Sequence, residues 1–178
     1  MPGYVAGRHH QEAGGGSNYL CLPDEPRWKG YLNNTQAPAG WLYGVEYRTN
    51  HGANNNHDIL LSGINNGGSQ DYHRNPTPCA VCYVPDRSAQ LMIPASDTCP
   101  DDWTLEYDGY LMSEHSFPTS AGVRDSTSYI CVDGAPEVAA GTTHQVQAIV
   151  LFVKVGCGTL PCSKYPDGRE LACAVCTK

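Results

Sequence analysis

Charge is scarce in this chain. Of 178 residues only 16% are charged, Lys and Arg together number 11 against 18 Asp and Glu, and the formal net charge is -7. Nucleic-acid binders concentrate Lys and Arg to neutralise phosphates. So thin and scattered a basic complement excludes a phosphate backbone as partner, and a neutral or cationic ligand fits better. Long apolar runs are also missing. The longest, Ala148 to Val153, falls far short of the roughly 18 residues that a membrane-crossing helix needs. The start, Met1-Pro2-Gly3-Tyr4, has neither the basic residues nor the apolar stretch of a signal peptide, so the sequence reads as a mature or truncated form. No segment sustains helical periodicity. Neither a hydrolase elbow, nor a phosphate loop, nor a His-Glu-x-x-His string is present, and Glu114-His115 and His57-Asp58 are merely adjacent in sequence. The expectation is a protein that is not an enzyme.

What the chain does have is turn residues and cysteine. Gly and Pro number 19 and 13, which suits short strands joined by turns and predicts an all-β fold. Nine cysteines in so short a chain are pointless in a reducing cytosol unless they hold metal or do redox chemistry, so an extracellular, disulfide-forming setting is expected.

The cysteines also repeat. Cys79-Ala-Val-Cys82 recurs as Cys173-Ala-Val-Cys176 at an offset of 94, Asn18-Tyr19-Leu20-Cys21-Leu22 is echoed by Ser128-Tyr129-Ile130-Cys131-Val132 at 110, Gly3-Tyr4-Val5 by Gly109-Tyr110-Leu111 at 106, and Val45-Glu46-Tyr47 by Val153-Lys154-Val155 at 108. Four landmarks in one order point to two pseudo-symmetric tandem halves, residues 1–85 and 98–178, with 86–97 crossing between them. Trp103-Thr104-Leu105-Glu106-Tyr107 alternates like a half-buried strand, and Ile149-Val150-Leu151-Phe152-Val153 reads as a fully buried one. Tyr165-Pro166-Asp167-Gly168-Arg169 has the chemistry of a tight turn. Trp41 and Trp103 are expected in the core, and His9-His10 as a solvated pair. Half one carries a 14-residue insertion, since 32 residues separate Tyr47 from Cys79 but 18 separate Val155 from Cys173. The insertion is rich in Asn, Gly and His, the kind of long polar loop that is either functional or merely mobile. Asn33-Asn34-Thr35 is a possible glycosylation acceptor.

The ending Leu171-Ala172-Cys173-Ala174-Val175-Cys176-Thr177-Lys178 resembles the end of the noncollagenous C-terminal domain of basement-membrane collagens, and Gly109-Tyr110-Leu111 the start of its halves. Closer still is the resemblance to short-chain, spongin-type invertebrate collagens, carried by Gly15-Gly16-Ser17-Asn18-Tyr19-Leu20-Cys21-Leu22-Pro23, Trp103-Thr104-Leu105-Glu106-Tyr107, Gly156-Cys157-Gly158-Thr159-Leu160-Pro161-Cys162 and Asp167-Gly168-Arg169-Glu170-Leu171. No Gly-X-Y run is present, so the chain resembles the stand-alone relatives, which look like secreted lectins, some of them binding galactose through calcium. The resemblance implies nested disulfides: Cys99 with Cys176, Cys131 with Cys173, Cys157 with Cys162, and Cys21 with Cys79. Cys82 is left alone, because the partner that the resemblance implies would lie upstream of Gly3; it is expected to be free, to bridge two chains as a homodimer or, if the natural N-terminus is longer, to be bonded within its own chain.

Zinc ribbons space their Cys-x-x-Cys pairs by roughly 15 to 20 residues, and these lie 94 apart. A redox pair wants a helix N-terminus, whereas Cys79 follows Pro76-Thr77-Pro78. Calcium suits the polar loops better, because it takes six to eight oxygen ligands without fixed spacing. The expected ligands are Asp71, Gln70, Asn75 and Asp58, with Asn56 nearby and Asp133 and Glu137 as the second choice. Tyr72, His73 and Trp28 are the expected sugar contacts, an aromatic face packing on the apolar side of a sugar ring. The expected function is a secreted calcium-dependent lectin for terminal galactose; the alternative is a matrix assembly module that binds no sugar. Asp71→Asn is expected to weaken calcium and galactose binding together, with a nearly unchanged melting temperature in the absence of metal; calorimetric titration checks it.

Overall fold

The computed structural model describes residues 1–12, 15–29, 40–49, 72–115, 126–141, 143, 145 and 147–178. Among these the chain forms β-strands and no helix: β1 Pro2–Gly7, β2 Leu20–Pro23, β3 Tyr43–Tyr47, β4 Pro78–Ala80, β5 Gln90–Pro94, β6 Thr104–Ser113, β7 Ile130–Asp133, β8 Ala148–Phe152 and β9 Ala172–Thr177. The sheet runs in the order β2-β1-β3-β8-β6-β9-β5, with β4 also on β1 and β7 also on β6. Every pairing is antiparallel except β3 with β8.

One arrangement occurs twice. Strand β1 carries β2 on one edge, and β4 followed by β3 on the other, through the pairs Val5↔Cys21, Gly3↔Cys79 and Ala6↔Gly44. Strand β6 carries β7, β9 and β8 in the same way, through Leu111↔Cys131, Gly109↔Cys173 and Met112↔Phe152. Corresponding residues differ by 106 along β1 and β6, 110 along β2 and β7, 94 along β4 and β9 and 108 along β3 and β8, which are the offsets of the sequence landmarks. The correspondence reaches into the turns. Arg74 and Gly168, 94 apart, both adopt positive φ, and each donates its N–H to a backbone carbonyl, that of Tyr47 and that of Val155, which are 108 apart.

Four disulfides lock these clusters: Cys21–Cys79, Cys99–Cys176, Cys131–Cys173 and Cys157–Cys162. They are the pairs that the collagen-like resemblance implies, and Cys82 is free and exposed. The first and third do something unusual. β2 and β4 lie on opposite edges of β1, where two strand spacings would hold them about 9.5 Å apart. Yet the Cα atoms of Cys21 and Cys79 are 5.8 Å apart, and those of Cys131 and Cys173, across β6, are 5.7 Å apart. The outer strands therefore curl toward each other and the disulfide straps over the central strand. Glycine sits under each strap: a Cβ on Gly3 would collide with the Leu22 carbonyl, and one on Gly109 with that of Val132.

The two clusters join at a short parallel seam, Val45↔Ala148, Glu46↔Ile149 and Tyr47↔Val150. Around it lies the core, built from Val5, Val45, Tyr47, Tyr72, Met112, Val132, Ala148, Val150 and Phe152. Charge is buried beside it. Arg8, at the end of β1, pairs with Glu114, at the end of β6, at 2.8 Å, with their side chains 5% and 2% exposed. The Glu46 carboxylate accepts the Gln145 N–H.

Several expectations need correction. His10 is buried and hydrogen-bonds the Gln147 carbonyl through Nδ1 at 2.8 Å, with the His9 ring stacked on it, so the pair is not a solvated one. Its position directly after β1 carries it into the interior. Trp41 is exposed, because it precedes β3 instead of lying in it, and Trp103 is only part-buried ahead of β6. Leu105 is exposed where alternation placed it inward, since β6 bulges between Leu105 and Tyr107 against β9. Residues 86–97 do more than cross: β5 within them pairs with β9. The buried strand and the turn are as read, β8 being buried apart from part of Leu151 and Arg169 N–H closing a turn on the Pro166 carbonyl.

Two outcomes are expected. Gly109→Ala forces β7 off β6 and costs about 3 kcal/mol, whereas Gly156→Ala, with open space around it, changes stability by no more than about 0.5 kcal/mol; denaturant titration compares them. Burial, opposed by the Gln147 hydrogen bond and aided by His9, Arg48 and Arg8, lowers the His10 pKa below its ordinary value. The unfolded chain then takes up this proton first, so the contribution is complete above about 6.5 and is lost as pH falls through that value toward the lower folded one. His10→Gln should flatten the fall in melting temperature between pH 7 and 5.

Candidate functional site

The two strapped clusters face each other across a cleft of about 740 Å³, within the range of small-molecule sites. One wall comes from β1, β2 and the run Thr77 to Cys82; the other from β5, β7 and β9 with Tyr107, Pro136 and Glu137. The straps themselves take part in the walls, since Cys21 and Cys79 line one and Cys131 the other.

Tyrosines structure the cleft. Tyr47 is buried and its hydroxyl donates to the Glu137 carbonyl at 3.1 Å; the Tyr107 hydroxyl donates to the Cys131 carbonyl at 3.1 Å and the Tyr19 hydroxyl to the Ile149 carbonyl at 3.0 Å. Each bond spends the single phenolic proton on backbone, so these rings serve as fixed walls. Burial pushes all three phenol pKa values up, and for Tyr47 and Tyr107 the nearby Asp133 carboxylate adds to the effect. Tyr129, in contrast, is exposed, alone among the lining tyrosines.

Acid sits at the rim. Asp133 ends β7, and one carboxylate oxygen accepts the Ala135 N–H at 2.8 Å, which shapes the turn. Glu137 follows four residues on; both side chains are exposed and line the cleft. They are the second-choice metal ligands of the sequence reading. Among the described residues no three His, Cys, Asp or Glu side chains come close enough to hold a metal ion. Asp133 and Glu137 are carboxylates of the type calcium takes, but two fall short of its six to eight oxygens.

The first-choice set fares differently. Asp71, Gln70, Asp58 and Asn56 lie outside the described residues, as does Asn33-Asn34-Thr35. Asn75 and His73 are part-buried in a turn in which the Asn75 side-chain amide donates to the His73 carbonyl and the Asn75 carbonyl accepts the Tyr47 N–H. Tyr72 is 0% exposed and packs edge-on against Tyr47, so it is core and offers no face to a sugar. Trp28 is 85% exposed, but neither it nor His73 nor Asn75 lines the cleft. Sequence reasoning missed Tyr129, Tyr107 and the cleft itself, although the 110-residue offset that pairs Tyr129 with Tyr19 was there to be used.

No family model, curated protein or solved structure matches this chain.

Proposed function

We propose that this protein is an extracellular, calcium-dependent carbohydrate-binding protein for galactose-type glycans, and that the ligand sits at the acidic rim of the cleft. The observation that carries the reading is the joint presence, on one open cleft, of an exposed tyrosine ring, Tyr129, and two exposed carboxylates, Asp133 and Glu137. A sugar has an apolar face and a hydroxyl edge. The first packs on an aromatic ring and the second donates to carboxylates, through charge-assisted hydrogen bonds stronger than neutral ones. Asp133 and Glu137 would also hold the calcium, with sugar hydroxyls and water completing its oxygen shell. Four disulfides support an oxidising, extracellular setting.

The second reading, a matrix assembly module that binds no sugar, is favoured by a separate feature, the outer edge of β4, which has no partner strand among the described residues, with the exposed Cys82 just beyond it. Retention on a galactose resin with release by chelator distinguishes the two, since an assembly module responds to neither.

Asp133→Asn is expected to lower galactose affinity in calcium by about tenfold, on the order of 1.4 kcal/mol, and to leave the disulfide pattern intact. Calorimetric titration of the parent, Asp133→Asn and Asp71→Asn with calcium and galactose checks it. If Asp71→Asn alone loses binding, the site is in the insertion; if the parent binds no sugar with or without calcium, the lectin reading fails.

A further inference from the structure

The cleft carries charge of one sign. Among the described residues that line it, Asp133 and Glu137 bring carboxylates, and none is Lys, Arg or His. Neither carboxylate joins an ion pair among the described residues, where Arg8 pairs with Glu114, Arg87 with Glu106 and Lys154 with Glu170. Their field reaches into the wall. Burial above all, and then Tyr72, Glu137 and Asp133, hold the Tyr47 phenol above its ordinary pKa.

A neutral polar group stands in the same corner without a partner. Thr77 lines the cleft and is 3% exposed, yet its Oγ1 makes no hydrogen bond among the described residues. Tyr47 beside it cannot donate one, because its hydroxyl proton goes to the Glu137 carbonyl. The corner is tied together by backbone, the Ala139 N–H donating to the Pro76 carbonyl at 3.0 Å. A buried hydroxyl left unsatisfied costs free energy, and a polar ligand group relieves that cost.

These acceptors suit an ammonium group better than a metal ion. Ammonium brings three N–H donors, which two carboxylates and one hydroxyl can receive, whereas calcium asks for six to eight oxygens. It also brings the charge that the carboxylates lack, and hydrogen bonds between ionised partners are the strong ones. Given that the cleft binds galactose-type glycans, as proposed above, we propose that it selects amino sugars with a free amine, residues of the galactosamine type whose ammonium is held by Asp133 and Glu137, and that such a ligand needs no calcium. N-acetylation removes the charge and leaves one N–H, so the acetylated sugar is the discriminating control.

The test titrates the full chain by calorimetry with galactosamine, N-acetylgalactosamine and galactose, each in calcium and in chelator, at about pH 6.5, below the range in which α-amino groups lose their proton. In chelator galactosamine is expected to bind about tenfold or more tighter than N-acetylgalactosamine, and added sodium chloride should narrow that margin by screening. Asp133→Asn and Glu137→Gln should each remove most of it. Thr77→Val, close in shape, should weaken galactosamine binding severalfold without lowering the melting temperature of the free protein, which a purely structural hydroxyl would not allow. Galactose bound in calcium, with galactosamine no tighter than its acetylated form, overturns the selectivity and leaves the lectin reading standing. So does a margin that survives both carboxylate substitutions. Galactosamine held in chelator by a chain that ignores galactose even in calcium supports the selectivity and removes the calcium bridge instead. Binding of none of the three sugars overturns both.

Discussion

The structure depends on a strap passing over a strand that has no side chain beneath it. A flat antiparallel sheet keeps alternate strands too far apart for a disulfide, whose Cα atoms stand at roughly 4.4 to 6.8 Å. Here β2 and β4, and likewise β7 and β9, come within 5.8 and 5.7 Å across the strand between them. That approach is possible because Gly3 and Gly109 leave the space under the strap to the neighbouring backbone. The curl this imposes makes a trough of each three-strand unit, and residues of both troughs line the cleft. Glycine and cysteine, spaced far apart in sequence, thus act as one structural element.

Joining the troughs is a different problem. The seam of β3 and β8 is only three residue pairs long and parallel, a less stable pairing per residue than the antiparallel kind. Its neighbours make up the difference. Tyr47, Val45, Ala148 and Val150 belong to the core and are almost wholly buried, and the Arg48 N–H extends the ladder to the Val150 carbonyl. The seam is thus both hydrogen-bonded and packed into the core. Acid is placed accordingly: Glu46 is buried at the seam with its carboxylate on a backbone N–H, whereas Asp133 and Glu137 stand exposed at the cleft.

Much of the framework was legible in the sequence, because repetition survives even where periodicity is weak. The four offsets between landmarks reappear in the strand registers, and β8 and the Pro166 turn announce themselves locally. What could not be read is whatever depends on curvature. The alternation around Leu105 was broken by a bulge that the sequence does not mark, and Gln90-Leu91-Met92-Ile93-Pro94 reads as a connector because its value lies in pairing with β9. Tyr72 sits at the end of a polar insertion and looks like surface, yet the edge-on packing against Tyr47 that takes it into the core joins residues 25 apart in sequence. The cleft was invisible for the same reason: its walls gather residues from Pro2 to Val175, and no local spacing links Tyr129 or Glu137 to β1 and β4.

The ion pair behind the seam has a consequence for how such a molecule can be assembled. Arg8 and Glu114 occupy corresponding positions, 106 residues apart, at the ends of β1 and β6, and both are sealed from solvent. Two copies of the first unit docked in this manner would bury arginine against arginine, and two copies of the second would bury glutamate against glutamate. A buried like-charged pair of that sort is unaffordable. Only unlike units satisfy each other, so the salt bridge acts as a mating type: it sets the first unit against the second and disfavours either unit against its own kind.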